Sequence, residues 1–111
     1  MEKRSYVLGM CLVEKMGLIM FMKARITGVI EHNQIKSAEV ELLPNKQVTF
    51  WELLGAGIEL PFYQKNKGVF KKNVWSKDEL ANEITFLKKV GFDFDNEFVV
   101  THKNELLAEM V

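Results

Sequence analysis

Residues 24–43 alternate as paired strands do. Ala24–Glu31 puts Arg25, Thr27 and Val29 on one face and Ala24, Ile26 and Ile30 on the other. After the turn residues His32–Gln34, Lys36–Leu43 alternates again, with Ala38, Val40 and Leu42 opposite Glu39 and Glu41. The pattern predicts an antiparallel hairpin with one covered and one solvated face.

A covered face needs an amphipathic partner, and Lys77–Val90 has that form. Leu80, Ile84, Leu87 and Val90 share a helical stripe with Ala81. Ser76 and Glu79 have capping-box spacing, Asp78 and Glu79 suit the positive end of the dipole, and Lys88 and Lys89 the negative end. Gly91 stops the helix.

Elsewhere the pattern is shorter. Pro44–Lys46 ends the hairpin, and we expect a strand from Gln47 to about Phe50 and then one helical turn; the Thr49/Glu52 spacing leaves a short helix over TFWELLG as the alternative. Ile58–Tyr63 and Val69–Trp75 read as a second hairpin around Asn66, Lys67 and Gly68, with Pro61 placing its first strand at an edge. Glu97–Thr101 reads as a strand and Asn104–Met110 as a short helix. Strands without βαβ alternation predict an α+β fold: a mostly antiparallel small β-barrel or curled sheet with one well-defined helix packed on it. With 111 residues, 48% hydrophobic and 27% charged, the chain suffices for one domain with its own core.

Residues 1–21 are a separate question. The apolar stretch Tyr6–Val13 follows a basic start, but Glu14 and Lys15 interrupt it, no small-x-small cleavage site follows, and no run approaches the roughly 18 apolar residues of a membrane span. The chain from Met22 looks like a domain start. We therefore expect a single domain over residues 22–111, with 1–21 either upstream of the native start or an extra element packed on it.

Catalytic constellations are sparse, and we expect no enzyme, cofactor or metal site. His32 falls in a turn and His102 at a strand end, neither within a nucleophile or metal motif. Cys11 is alone and cannot form an internal disulfide, which fits a cytoplasmic setting. Asp93, Asp95 and Glu97 alternate but lack the glycine and remaining ligands of a calcium loop, so we expect a solvated edge with Phe92, Phe94 and Phe98 inward. No lysine with serine or threonine follows Gly55–Gly57, which excludes a phosphate loop.

Fifteen basic residues balance fifteen acidic ones, so the whole molecule offers a polyanion no net attraction. The balance hides an asymmetry. Pro61–Lys77 holds Lys65, Lys67, Lys71, Lys72 and Lys77 and no acid, whereas residues 78–111 carry eight acids against three lysines. Phe62, Tyr63, Phe70 and Trp75 interleave with these lysines. Ammonium groups beside ring faces are what single-stranded RNA binding uses, so Lys65, Lys67, Lys71 and Lys72 are expected at phosphates and Tyr63, Phe70 and Trp75 under bases. The alternative is a protein-binding adaptor or inhibitor, as a single chain or a homodimer, using aromatics around Phe50, Trp51 and Phe62 or the acidic C-terminal third.

The hairpin, the FWELLG segment and the lysine-rich stretch, taken in order over about residues 22–111, resemble the PrgU family of small proteins carried on conjugative plasmids of enterococci and related Gram-positive bacteria. The resemblance implies a PUA-like fold and a regulatory role limiting expression of a plasmid-encoded surface adhesin through contact with RNA. It assigns no individual residues.

Overall fold

The computed structural model describes residues 2–15, 18–95 and 97–110, with side chains described for 19–95 and 101–110. Two long strands, β1 (Glu2–Lys15) and β2 (Leu18–Glu31), pair antiparallel, and β2 continues through a tight turn into β3 (Gln34–Pro44). His32 and Asn33 occupy that turn with φ of 51° and 63°. Two consecutive left-handed residues define the turn whose twist matches a hairpin, and asparagine tolerates that conformation.

The short helix α1 (Phe50–Gly55) follows, then β4 (Gln64–Asn66), β5 (Val69–Val74), α2 (Lys77–Val90) and α3 (Glu97–Glu109). The five strands lie in the order β1-β2-β3-β5-β4 with antiparallel neighbours throughout. This is an α+β fold. Its sheet is open, with β1 and β4 as edges, and does not close into the barrel that was one expectation.

The period of two decides the core. Met20, Met22, Ala24 and Ile26 of β2, Ala38, Val40 and Leu42 of β3, and Phe70 and Val74 of β5 face one side, each no more than 1% exposed. Leu80, Ile84 and Leu87 of α2 pack into the same cluster. The fourth buried position on that helix is Glu83, whereas Ala81, expected on the stripe, is exposed. Ser76 caps α2 by accepting from the Glu79 amide, but the Glu79 carboxylate accepts from the Trp75 amide instead of closing the box on Ser76.

The opposite face is less wet than the alternation implies. Arg25 and Glu41 form a two-pronged ion pair across β2 and β3, at 3.1 and 3.2 Å from Nη2. Thr27, Val29 and Ser37 nevertheless are buried, at 7–8% exposure.

Three expected strands are absent. Residues 47–49 are not a strand, because Thr49 caps α1 with a complete capping box and Leu53 carries the helix into the core. Ile58–Tyr63 is not one either: the Tyr63 amide bonds back to the Leu60 carbonyl and Phe62 takes a φ of 67°, so the chain turns there and β4 starts only at Gln64. Glu97–Thr101 forms the first turns of α3. Its β-branched residues favour a strand, but the burial of Leu106 and Met110, one helical turn apart, favours a helix, and the packing prevails.

Gly28 explains how closely α3 approaches: a Cβ built there would lie 3.1 Å from Leu106 Cδ1 and 3.4 Å from Ile35. Residues 2–15 pair along β2, and the expected boundary at 21/22 falls within β2. The Cys11 and Phe98 side chains lie outside those described.

Candidate nucleic-acid interface

The lysine-rich stretch forms the β4–β5 hairpin at one edge of the sheet, closed by Lys67 (φ 52°) and Gly68 (φ 81°). Registration separates its side chains by face. Gln64 pairs with Lys71 and Asn66 with Val69, so Gln64, Asn66, Lys71 and Asn73 share the face opposite the core-directed Phe70 and Val74.

The expected stacking rings divide. Trp75 is 67% exposed. Phe70 is fully buried, with its ring edge-on to Phe50 at 4.8 Å between centroids. Tyr63 is buried as well, and its hydroxyl donates to Glu83 Oε2 at 2.7 Å. Burial first, then the bond to Glu83 and its charge, raises the Tyr63 phenol far above its ordinary value. Neither Tyr63 nor Phe70 presents a face to a base. Phe62, beside Tyr63, is 86% exposed, and no expected stacking position named it.

The lysines divide too. Lys72 Nζ lies 2.6 Å from Glu83 Oε1, with the carboxylate only 8% exposed, and Lys71 Nζ lies 3.3 Å from Glu39. Lys65 donates to the Val48 carbonyl at 2.6 Å and sits 5.6 Å from the Phe70 ring centre. Lys67 projects from the turn, and Lys77 opens α2; both are exposed. The local excess of positive charge is therefore partly offset in space by carboxylates from β3 and α2. Linear composition could not show this, because Glu39 and Glu83 stand far from these lysines in sequence.

Two hollows adjoin here, one at the β4–β5 edge and one on the neighbouring sheet face. One, about 390 Å³, is lined by Phe62, Gln64, Asn66, Lys71, Lys72 and Asn73. The other, about 340 Å³, lies over β2, β3 and the end of β5 and is lined by Val29, Glu31, Lys36, Ser37, Glu39, Asn73 and Trp75. Asn73 borders both, so the exposed rings of Phe62 and Trp75 stand at either end of a single surface.

The other candidate residues stay apart from it. His32 is exposed in the β2–β3 turn, and His102 lies on α3. Asp93 accepts from the Asp95 amide at 2.8 Å, and Asp95 pairs with Lys88 at 3.2 Å, while Phe92 and Phe94 are buried. Among the described residues no group of three or more His, Cys, Asp or Glu side chains converges on a metal position. Nor is any described helix long and apolar enough to cross a membrane.

Comparison with protein-family models, with curated proteins and with solved structures finds no match for this chain.

Proposed function

We propose that the protein is a non-enzymatic, cytoplasmic regulatory module that binds single-stranded or structured RNA along the β4–β5 edge. One observation carries the reading. Phe62 and Trp75, 86% and 67% exposed, flank a stretch with four lysines and no acid, and Lys77 follows. Large rings left in water on a small domain are costly unless a partner covers them, and unpaired bases cover rings while lysines meet phosphates. In this reading Phe62 and Trp75 stack, Lys67 and Lys77 contact phosphates, and Lys71 and Lys72 contribute less because Glu39 and Glu83 hold them.

The finer assignments rest on the resemblance to the PrgU family: a PUA-like arrangement of the sheet, and a role in limiting expression of a plasmid-encoded surface adhesin. The direct test is retention of labelled single-stranded RNA, single-stranded DNA and duplex DNA by the full chain. Retention of RNA, weakened roughly 5- to 100-fold by Phe62→Ala or Trp75→Ala, supports the proposal. No retention at low salt refutes it.

A second reading has its own observation. Trp51 and Leu54 of α1 are 81% and 48% exposed and lie outside the lysine stretch. They suit a protein partner or a second copy of the chain. A dimer mass in solution that Trp51→Ser converts to a monomer, together with no RNA retention, favours this reading.

A further inference from the structure

The hollow beside Phe62 has a chemistry of its own. β4 begins at Gln64, because the chain turns away at Phe62 and Tyr63, so among the described residues no strand pairs with the outer side of β5 beyond Lys71. The Phe62 ring stands over this gap, with Lys72 Nζ 5.7 Å from its centre. Its placement is fixed from both sides: Leu60 and Tyr63 are buried, and Tyr63 is bonded to Glu83. A φ of 67° is unfavourable for a bulky residue and persists only where neighbours enforce it.

The polar lining is mostly carboxamide. Gln64, Asn66 and Asn73 are exposed on one face, and the described residues offer their side chains no hydrogen bond. A carboxamide presents a donor and an acceptor side by side. A phosphate offers only acceptors, and the two ammonium groups here already face carboxylates. The edge of a nucleobase displays donors and acceptors together, which glutamine and asparagine match in pairs, and its face stacks on an aromatic ring. The volume of about 390 Å³ falls within the roughly 300–1,000 Å³ of small-ligand sites.

We infer that this hollow is a pocket for one unpaired nucleobase, stacked on Phe62 and read along its edge by Gln64 and Asn73, with Asn66 at the rim. The inference deepens the RNA reading and rests on it for the source of the base. It adds that recognition depends on base identity and not chiefly on phosphate charge.

The experiment compares four labelled homopolymeric RNA oligomers, their DNA counterparts, an abasic RNA of the same length and the four free nucleoside monophosphates, by fluorescence anisotropy and competition. The full chain is used alongside Gln64→Ala, Asn73→Ala and Phe62→Ala, and thermal melts confirm that the variants fold. At least one base is expected to bind about tenfold or more above the abasic RNA, the scale on which one bidentate edge contact discriminates. Asn73→Ala or Gln64→Ala should narrow the preference among bases, and Phe62→Ala should bring all of them toward the abasic affinity. Equal binding of abasic and base-bearing RNA overturns the pocket and leaves the RNA reading standing. A base preference that all three variants retain overturns the pocket too. Mononucleotides or DNA binding as tightly as RNA, with the same dependence on Phe62 and Asn73, uphold the pocket while removing RNA as its specific source. Absence of binding by every probe overturns both.

Discussion

Replacing Lys72 with methionine tests the polar knot that fixes the β4–β5 edge. Glu83, on α2, is 8% exposed at its side chain and has two partners: Lys72 Nζ at 2.6 Å and the Tyr63 hydroxyl at 2.7 Å. Methionine keeps the length and apolar stem of lysine but removes the charge, which leaves a carboxylate in the interior with one neutral donor. Stripping one partner from a buried pair costs about 3–5 kcal/mol, and because Lys72 is itself 24% exposed we expect the lower end, about 3 kcal/mol. For a domain of this length that corresponds to a fall in Tm of roughly 10–15 °C. Adding Glu83→Gln removes the stranded charge while an amide oxygen still accepts from Tyr63. The double variant should therefore recover to within about 1.5 kcal/mol of the parent. Urea denaturation followed by circular dichroism reads all three proteins, with an unchanged m-value required for comparison. A Lys72→Met variant within 1 kcal/mol of the parent by the ~1 kcal/mol scale of an ordinary hydrogen bond, or a double variant less stable than the single, would refute the argument.

Other consequences follow from the same packing. The Tyr63 phenol ionises far less readily when folded than at its free value of 10.0, so its stabilising effect is complete below pH 10.0 and declines above it, by about 1.4 kcal/mol per pH unit; alkaline denaturation of Tyr63→Phe should start at higher pH than that of the parent. Gly28→Val would drive methyl groups toward Leu106 and Ile35 and should cost about 1–3 kcal/mol, whereas a neutral or stabilising effect in a thermal melt would contradict the close approach of α3. If only Lys67 and Lys77 contact phosphates, a threefold rise in salt should weaken single-stranded RNA binding about fivefold, against about fiftyfold if all five lysines do so, and affinity measured across a salt series separates the two. Lys71→Glu with Lys72→Glu is a poor probe of binding, because the second change sets one carboxylate against Glu83; circular dichroism should show that variant unfolding before any loss of RNA is interpreted.

Much of what depended on local chemistry was legible, although the Thr49/Glu52 capping box outweighs the strand expected over residues 47–50. The β2–β3 hairpin follows from a period of two and a turn that accepts left-handed residues, and α2 follows from its stripe, Ser76 and Gly91. Whatever depended on distant partners was not. Val99, Val100 and Thr101 favour a strand on their own, and tertiary packing, seen in the burial of Leu106 and Met110 and the close approach of Leu106 to Gly28, makes α3 the better solution. The candidate interface failed to read for the same reason. Counting lysines along residues 61–77 treats charge as a property of the segment, while Glu39 and Glu83 reach Lys71 and Lys72 from other elements. The rings held one usable signal: Phe62 and Tyr63 are adjacent beside Pro61, so a turn there sends them to opposite sides, and one must be exposed if the other is buried. Tyr63 is the inward one because its hydroxyl can meet Glu83, and Phe62 has no polar atom with which to do so. The outward turn of Phe62 and the neutralised Lys72 thus have a common origin at Glu83, where α2 meets Tyr63 and β5. A variant that loosens that contact should blunt any base preference before it weakens the electrostatic attraction of the edge.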